Sequence, residues 1–467
     1  MGIPIHAPRG VIAAAVLALL AGFLMPSLAA GAPAGIDGQE TDELLINAPE
    51  QRTLPVAADD GTAQIHTLEL RLFHDNSNFT VTDGRLTVDI TQLAGVAEVI
   101  WPEECTPSGS TAVCSFPQVT TNPWDDDTKA KVRIRAAAGA PVGAHGSISY
   151  SAEATGGPDG RLTARGERTT IMVGSGPDLV LDEVSRTGLE PRSTVAVPFS
   201  LVNNGNEPVN GLTVRLYASA GLDFETRQPE CTYTRDDNIP GRPPFSNVAC
   251  SFDDVIQPGA TFELPELLRL NLASYAFKER LDLDVGLGEG VRDLNPDDNY
   301  RIYDLIADNS ADFTMRGTDL TGSAGQTVTA DLTFSNKGRA WVAHLGSSEP
   351  LVEFDFRVPP GTTATAVPDE CRPIGLDGEW LEERLGAPRY VCGLPSDGDL
   401  GVYWIMPKAE YTLSFDLRID TEIEDATGSI QAKPWFFLLS GEDSFPFDPN
   451  SRNNAAKVVV NATPPTT

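Results

Sequence analysis

The sequence predicts an all-β chain of three tandem immunoglobulin-like antiparallel β-sandwich domains, on three observations. Apolar residues recur with a period of two, turn residues punctuate those runs, and one order of landmarks, a cysteine pair included, occurs three times. The period is clearest where Tyr411, Leu413, Phe415, Leu417 and Ile419 alternate with Thr412, Ser414, Asp416, Arg418 and Asp420. Val352, Phe354, Phe356 and Val358 alternate with Glu353, Asp355 and Arg357, and Leu212-Val214-Leu216, Leu86-Val88-Ile90 and Leu281-Leu283-Val285 repeat the pattern. Such strands place one face on a core and the other in water. Helical spacing is not sustained after residue 32.

The repeat sets the domain organisation. A first cysteine follows proline and acid in Pro102-Glu103-Glu104-Cys105, Pro229-Glu230-Cys231 and Pro368-Asp369-Glu370-Cys371. A second follows in Val113-Cys114, Ala249-Cys250 and Val391-Cys392, so the economical pairing is Cys105–Cys114, Cys231–Cys250 and Cys371–Cys392. Separations of 9, 19 and 21 positions without accompanying histidines do not match zinc sites. Upstream, a strand runs into Asn203-Asn204-Gly205 or Asn336-Lys337-Gly338, with a degraded form at His74-Asp75-Asn76, and these read as turns that need positive φ. Downstream, Pro258-Gly259 and Pro407-Lys408 precede a new strand, and Asp293–Asn299 and Asp448–Asn454 close units two and three. The units are placed at 41–174 (divergent), 177–307 and 309–461, with a short hinge at Gly174-Ser175-Gly176-Pro177 and a disordered tail at 462–467. They exceed a minimal sandwich of about 100 residues, which predicts extended loops around the cysteines.

Residues 1–32 read as an export signal: Arg9, an apolar core from Val11 to Leu24 broken by Gly22 and Pro26, then small residues at Ala30, Gly31 and Ala32. Export agrees with six cysteines used as disulfides, and no later stretch is long and apolar enough to insert in a membrane. A net charge of −32 gives a solvated acidic surface that repels nucleic acid and anionic lipid.

The strands ending in Asn-Asn-Gly or Asn-Lys-Gly, the Pro-Gly before a late strand and the closing Asp-x-Asn turn resemble the CARDB-type and conserved-repeat immunoglobulin-like domains. The resemblance covers units two and three well and unit one weakly. It implies tandem modules of a bacterial secreted or surface protein linked with adhesion, whose turn motifs specify a fold and not a ligand. No sorting signal follows Val458-Val459-Val460-Asn461, and Leu394-Pro395-Ser396-Asp397-Gly398 lacks the Thr-Gly pair of one. The expectation is therefore a secreted, extracellular protein, held at the cell surface, if at all, through a non-covalent partner.

No catalytic set is assigned. His66, His74, His145 and His344 are the histidines after the signal, and no Gly-x-Ser-x-Gly elbow, phosphate loop, His-Glu-x-x-His or Cys-x-x-Cys occurs. The expectation is a structural or adhesive protein without enzymatic activity or an obligate cofactor, engaging a cell-wall or other extracellular macromolecule. The alternatives are a carbohydrate- or calcium-binding protein using the stapled loops, and an unrecognised hydrolase. Asp293, Asn295, Asp297 and Asp304 have offsets similar to a helical calcium loop, although Asp298 stands where that loop needs glycine and Arg301-Ile302-Tyr303 reads as strand. The competing reading is an Asx turn that starts the last strand. Among Trp101, Trp124, Trp341, Trp380, Trp404 and Trp435, Trp404 is assigned to the core, and Trp380, inside the Cys371–Cys392 loop, is the candidate for ligand contact.

Overall fold

A computed structural model describes residues 41–462 except 59–60, 124–125, 183, 237–242, 289, 346–348, 395–403 and 436–443. The segment read as an export signal, the tail beyond 462 and Trp124 lie outside the described residues. Among the described residues there are strands and short 3-10 turns but no α-helix, so no helix is long and apolar enough to cross a membrane.

Three six-stranded sheets follow one another along the chain with the same strand order. In the first unit the order is Gln51–Pro55, Arg161–Gly174, His145–Thr155, Val81–Asp89, Thr111–Val119, Cys105–Ser108. In the second it is Ser185–Leu189, Tyr300–Ala307, Lys278–Leu287, Val209–Ala218, Phe245–Ile256, Cys231–Asp236, and in the third Thr318–Gly322, Ala455–Ala462, Ala426–Pro434, Val352–Arg357, Arg389–Cys392, Cys371–Ile374. Pairing is antiparallel except at one edge. There the first strand of each sheet runs parallel to the last strand of its unit, because the chain crosses from the smaller sheet into the larger before the rest of the unit is threaded.

The alternation seen in sequence becomes burial. Leu413, Phe415, Leu417 and Ile419 meet Phe354 and Phe356 in one apolar cluster, Leu68, Leu70 and Leu72 meet Leu86 and Val88 in another, and Leu212, Val214 and Leu216 meet Leu281, Leu283 and Val285 in a third. Asp355 departs from its expected place in water: it is buried with Arg389, whose guanidinium makes two bonds to it at 2.6 and 3.1 Å. The fork satisfies both charges where solvent cannot.

Proline decides how the smaller sheet is built. In the third unit Thr327–Asn336 and Glu410–Ile419 pair without interruption in one four-stranded sheet. In the second, Pro198 and Pro265 interrupt the corresponding segments, and the face splits into two three-stranded sheets, since proline offers no N–H to the ladder.

Each cysteine pair sits directly opposite in the last antiparallel ladder of its sheet, forming the three disulfides Cys105–Cys114, Cys231–Cys250 and Cys371–Cys392. The edge strand is thereby fastened to its neighbour, which limits its use as a template for other chains. The extended loops expected around the cysteines are absent from the first unit, where a tight hairpin joins Ser108 to Thr111.

The Asn-Asn-Gly and Asn-Lys-Gly turns work differently from the expectation. Neither Gly205 nor Gly338 has positive φ. Glycine is required by close approach, since a Cβ there would lie 2.3 Å from the Gly176 carbonyl oxygen or 2.4 Å from the Asp312 nitrogen. The preceding Asn203 and Asn336 are fully buried hubs. Asn203 accepts from the backbone of Asp178 and Gly205 and donates to the carbonyls of Glu207 and Ile256; Asn336 does the same with Asp312, Gly338, Ala340 and Met406. Gly205→Ala should therefore cost about 1–3 kcal/mol in urea unfolding, the range for overpacking. Lys408, at φ +66°, should behave oppositely, with Lys408→Gly gaining up to about 1 kcal/mol.

Candidate functional site

A dense group of buried polar side chains lies where the first two units meet. Strand Gln51–Pro55 presents Arg52 and Thr53 to the turn that closes the second unit. Asp293 accepts from the backbone of Asn295 at 2.8 Å and of Leu179 at 2.9 Å, which makes the turn an Asx turn and ties it to the first strand of its own unit. Asn295 then spans the junction. Its Oδ1 accepts from Thr53 N at 2.8 Å, and its Nδ2 donates to Thr53 O at 2.8 Å and to Asp178 Oδ1 at 2.7 Å. Arg52 donates to Asp298 Oδ2, and Asn204 donates to the Ile65 carbonyl at 3.2 Å. The stretch read as a hinge is braced: Gly176 N donates to Asn206 Oδ1, and the backbone around Gly176 packs on Gly205.

Oxygens of Asp178, Asp293 and Asp298 lie within 4.8 Å of one another. Burial pushes the Asp178 carboxyl up, and the neighbouring Asp298 charge adds to it. Asp298 is likewise pushed up by burial, against the pull of Arg52. His66, its Nδ1 3.6 Å from Asp178 Oδ2, is driven down to about 3 by burial and by Arg52, and so is a neutral imidazole here.

The helical calcium loop is not assembled. Asp293 and Asn295 reach the junction, but Asp297 is exposed on the 3-10 turn Pro296–Asn299 and Asp304 is exposed on strand Tyr300–Ala307, opposite Ser185 and Arg280. A strand carries alternate side chains to opposite faces, so the loop's spacing cannot converge. Sequence reading missed Asp178, Asp298, Arg52 and His66 as a group, because they come from four separate segments. The one available signal was Asp298 standing in the glycine position.

The second feature is the segment enclosed by Cys371 and Cys392. Trp380 is 53% exposed, and Leu376, Leu381 and Leu385 beside it are 73%, 39% and 54% exposed. The segment is nevertheless fixed. Gly375 N donates to Glu379 O, Leu381 N donates to Pro373 O, Tyr390 Oη donates to the Arg384 carbonyl, and Arg384 donates to the carbonyls of Val367 and Pro368. Of the other tryptophans, Trp341 is fully buried, whereas Trp101, Trp404 and Trp435 are half-buried. Trp404, assigned to the core by sequence, stands in a two-stranded ribbon with Val342–Ala343.

No protein-family model matches the chain, and no curated protein does. Among solved structures it is similar to the Escherichia coli adhesin FdeC, at 13% identity and a TM-score of 0.20 over 90% of this chain and 96% of that one. It is also similar to the teleost fish polymeric Ig receptor ectodomain, at 10% identity and a TM-score of 0.15 over 62% and 100%. A red sea bream transglutaminase is similar at 11% identity and a TM-score of 0.20, over 57% and 31%. At such TM-scores these likenesses carry no functional argument, and the fold stands on the chain's own sheets.

The second and third units are latched by another buried carboxylate. Glu279 accepts from Ser219 Oγ, Gly221 N, Phe277 N and, across the junction, Trp341 Nε1. Phe277 joins the third unit's apolar cluster, edge-on to Phe447 at 6.1 Å, and Trp341 N donates to Tyr275 O. Trp341→Phe keeps most of the ring and removes one donor to a buried charge. It should cost about 1.5–3 kcal/mol and separate the calorimetric transitions of the two units.

Proposed function

We propose that the protein is a non-enzymatic, exported structural and adhesive module whose units form a braced spacer and whose Cys371–Cys392 segment contacts a cell-wall or other extracellular macromolecule. The observation that carries this reading is the grouping of Trp380, Leu376, Leu381 and Leu385, all exposed, on one hydrogen-bonded, disulfide-closed loop. Large apolar side chains left in water are costly unless something covers them. A loop already fixed by its own bonds loses little entropy when it docks. Three disulfides support an oxidising, extracellular setting. The acidic surface disfavours nucleic acid and anionic lipid as partners. A carbohydrate ligand is the second reading, favoured by the exposed ring of Trp380, an apolar face beside polar rim groups.

Retention of the purified protein on intact cells or wall material tests the proposal. Trp380→Ala should weaken retention at least about tenfold, as for an aromatic anchor, with no change in melting temperature. Retention equal to wild type would sink it, and a glycan array run with the same variant separates the polysaccharide reading. Replacing Cys371 and Cys392 together by serine should lower stability by about 3 kcal/mol in urea unfolding and weaken retention as the loop loosens.

A further inference from the structure

The turn that closes the second unit meets the unit's first strand at a group of three carboxyls that its surroundings do not fully satisfy. Asp178 is completely buried and Asp298 nearly so, and with Asp293 they bring carboxylate oxygens within 4.8 Å of one another. Asp178 Oδ1 accepts from Asn295, and Asp298 Oδ2 accepts from Arg52. Asp178 Oδ2 and Asp298 Oδ1 are buried without a hydrogen-bond donor. Buried carboxylate oxygens left this way are expensive and call for a positively charged occupant. His66 does not supply it, since its Nδ1 stands 3.6 Å from Asp178 Oδ2, beyond hydrogen-bonding distance. Arg52, with Arg301 as the other cation acting on Asp298, brings two positive charges to a group of three carboxyls.

The third unit provides an internal comparison. Its closing turn has Asp448 and Asn450 where the second has Asp293 and Asn295, with the same Asx bond at 2.9 Å and the same carboxylate bond to a strand N–H, from Phe313 at 3.1 Å. At the position of Asp298 it has Asn453, whose amide donates to Asp312 Oδ1 at 2.8 Å. There a donor closes the site. In the second unit an acceptor stands in its place, and the same geometry is left open.

We propose that Asp178, Asp293 and Asp298 form a binding site for a hard divalent cation of the calcium class. Three carboxylates give it the oxygen ligands such ions take, with water completing the shell. The bound ion ties the first strand of the second unit to its closing turn. Because Asn295 and Asp298 of that turn also hold Thr53 and Arg52, it stiffens the junction with the first unit. Asp297 and Asp304 take no part.

Calcium titration of the purified protein by calorimetry, with thermal unfolding in calcium and in chelator, tests this. Wild type should bind calcium and melt higher with it. Asp298→Asn, which copies the third unit, should fold, bind at least tenfold more weakly and lose the calcium-dependent shift, and Asp178→Asn should do the same. Asp304→Ala should match wild type. The proposal is overturned by wild-type protein that gives neither heat nor shift at millimolar calcium, which would leave a shared proton between the carboxyls. Binding that survives Asp298→Asn and Asp178→Asn, or that is lost in Asp304→Ala, overturns it equally.

Discussion

A carboxylate at the threshold of every unit is the constraint around which this molecule is arranged. Asp42, Asp178 and Asp312 each stand just before the first strand of a unit, and the first two are buried. A buried carboxylate must be met by donors or by charge, or folding forfeits several kcal/mol. Each unit answers with different residues. Asp42 lies 3.0 Å from His74 Nδ1, the residue in the place of the asparagine hub. Asp312 accepts from Asn453, and Asp178 accepts from Asn295 while one of its oxygens stays open. The closing turn of a unit therefore returns to its threshold, next to the edge where the unit's second strand runs parallel to its last one.

The same requirement controls how successive units meet. Between the first and second, the side chains that meet the closing turn belong partly to the neighbouring unit, so Asn295 and Asp298 gain Thr53 and Arg52 as partners only when both units are in place. Between the second and third, Glu279 collects three donors from its own unit and the fourth from Trp341. Directional bonds of this kind fix an orientation in a way that apolar contact alone does not. A chain latched at both junctions is suited to holding a loop at a set distance and angle from whatever anchors it.

The disulfides serve a complementary end. Each fastens the free edge of a six-stranded sheet, and in the third unit it also closes the base of the loop that carries Trp380. The apolar cost of that exposed loop is borne by a unit whose cluster gathers Phe313, Phe334, Phe354, Phe356 and Phe415.

The sequence by itself determined the strands and the cysteine partners, because period-two alternation and repeated landmarks are local properties that each segment carries alone. It also placed Asp293 and Asn295 in an Asx turn, where the bonded groups lie two residues apart. Only the tertiary structure decided what that turn meets. Arg52, Asp178 and Asp298 are separated by more than a hundred residues at their closest chain spacing, and they converge because the parallel edge and the braced linker bring three segments to one point. It also decided that Gly205 and Gly338 serve close approach, not left-handed turning, since the atoms they make room for belong to the backbone just before the unit's first strand. Alternation placed Asp355 in water for the same reason: periodicity assigns a face, while the arginine that covers it comes from a neighbouring strand.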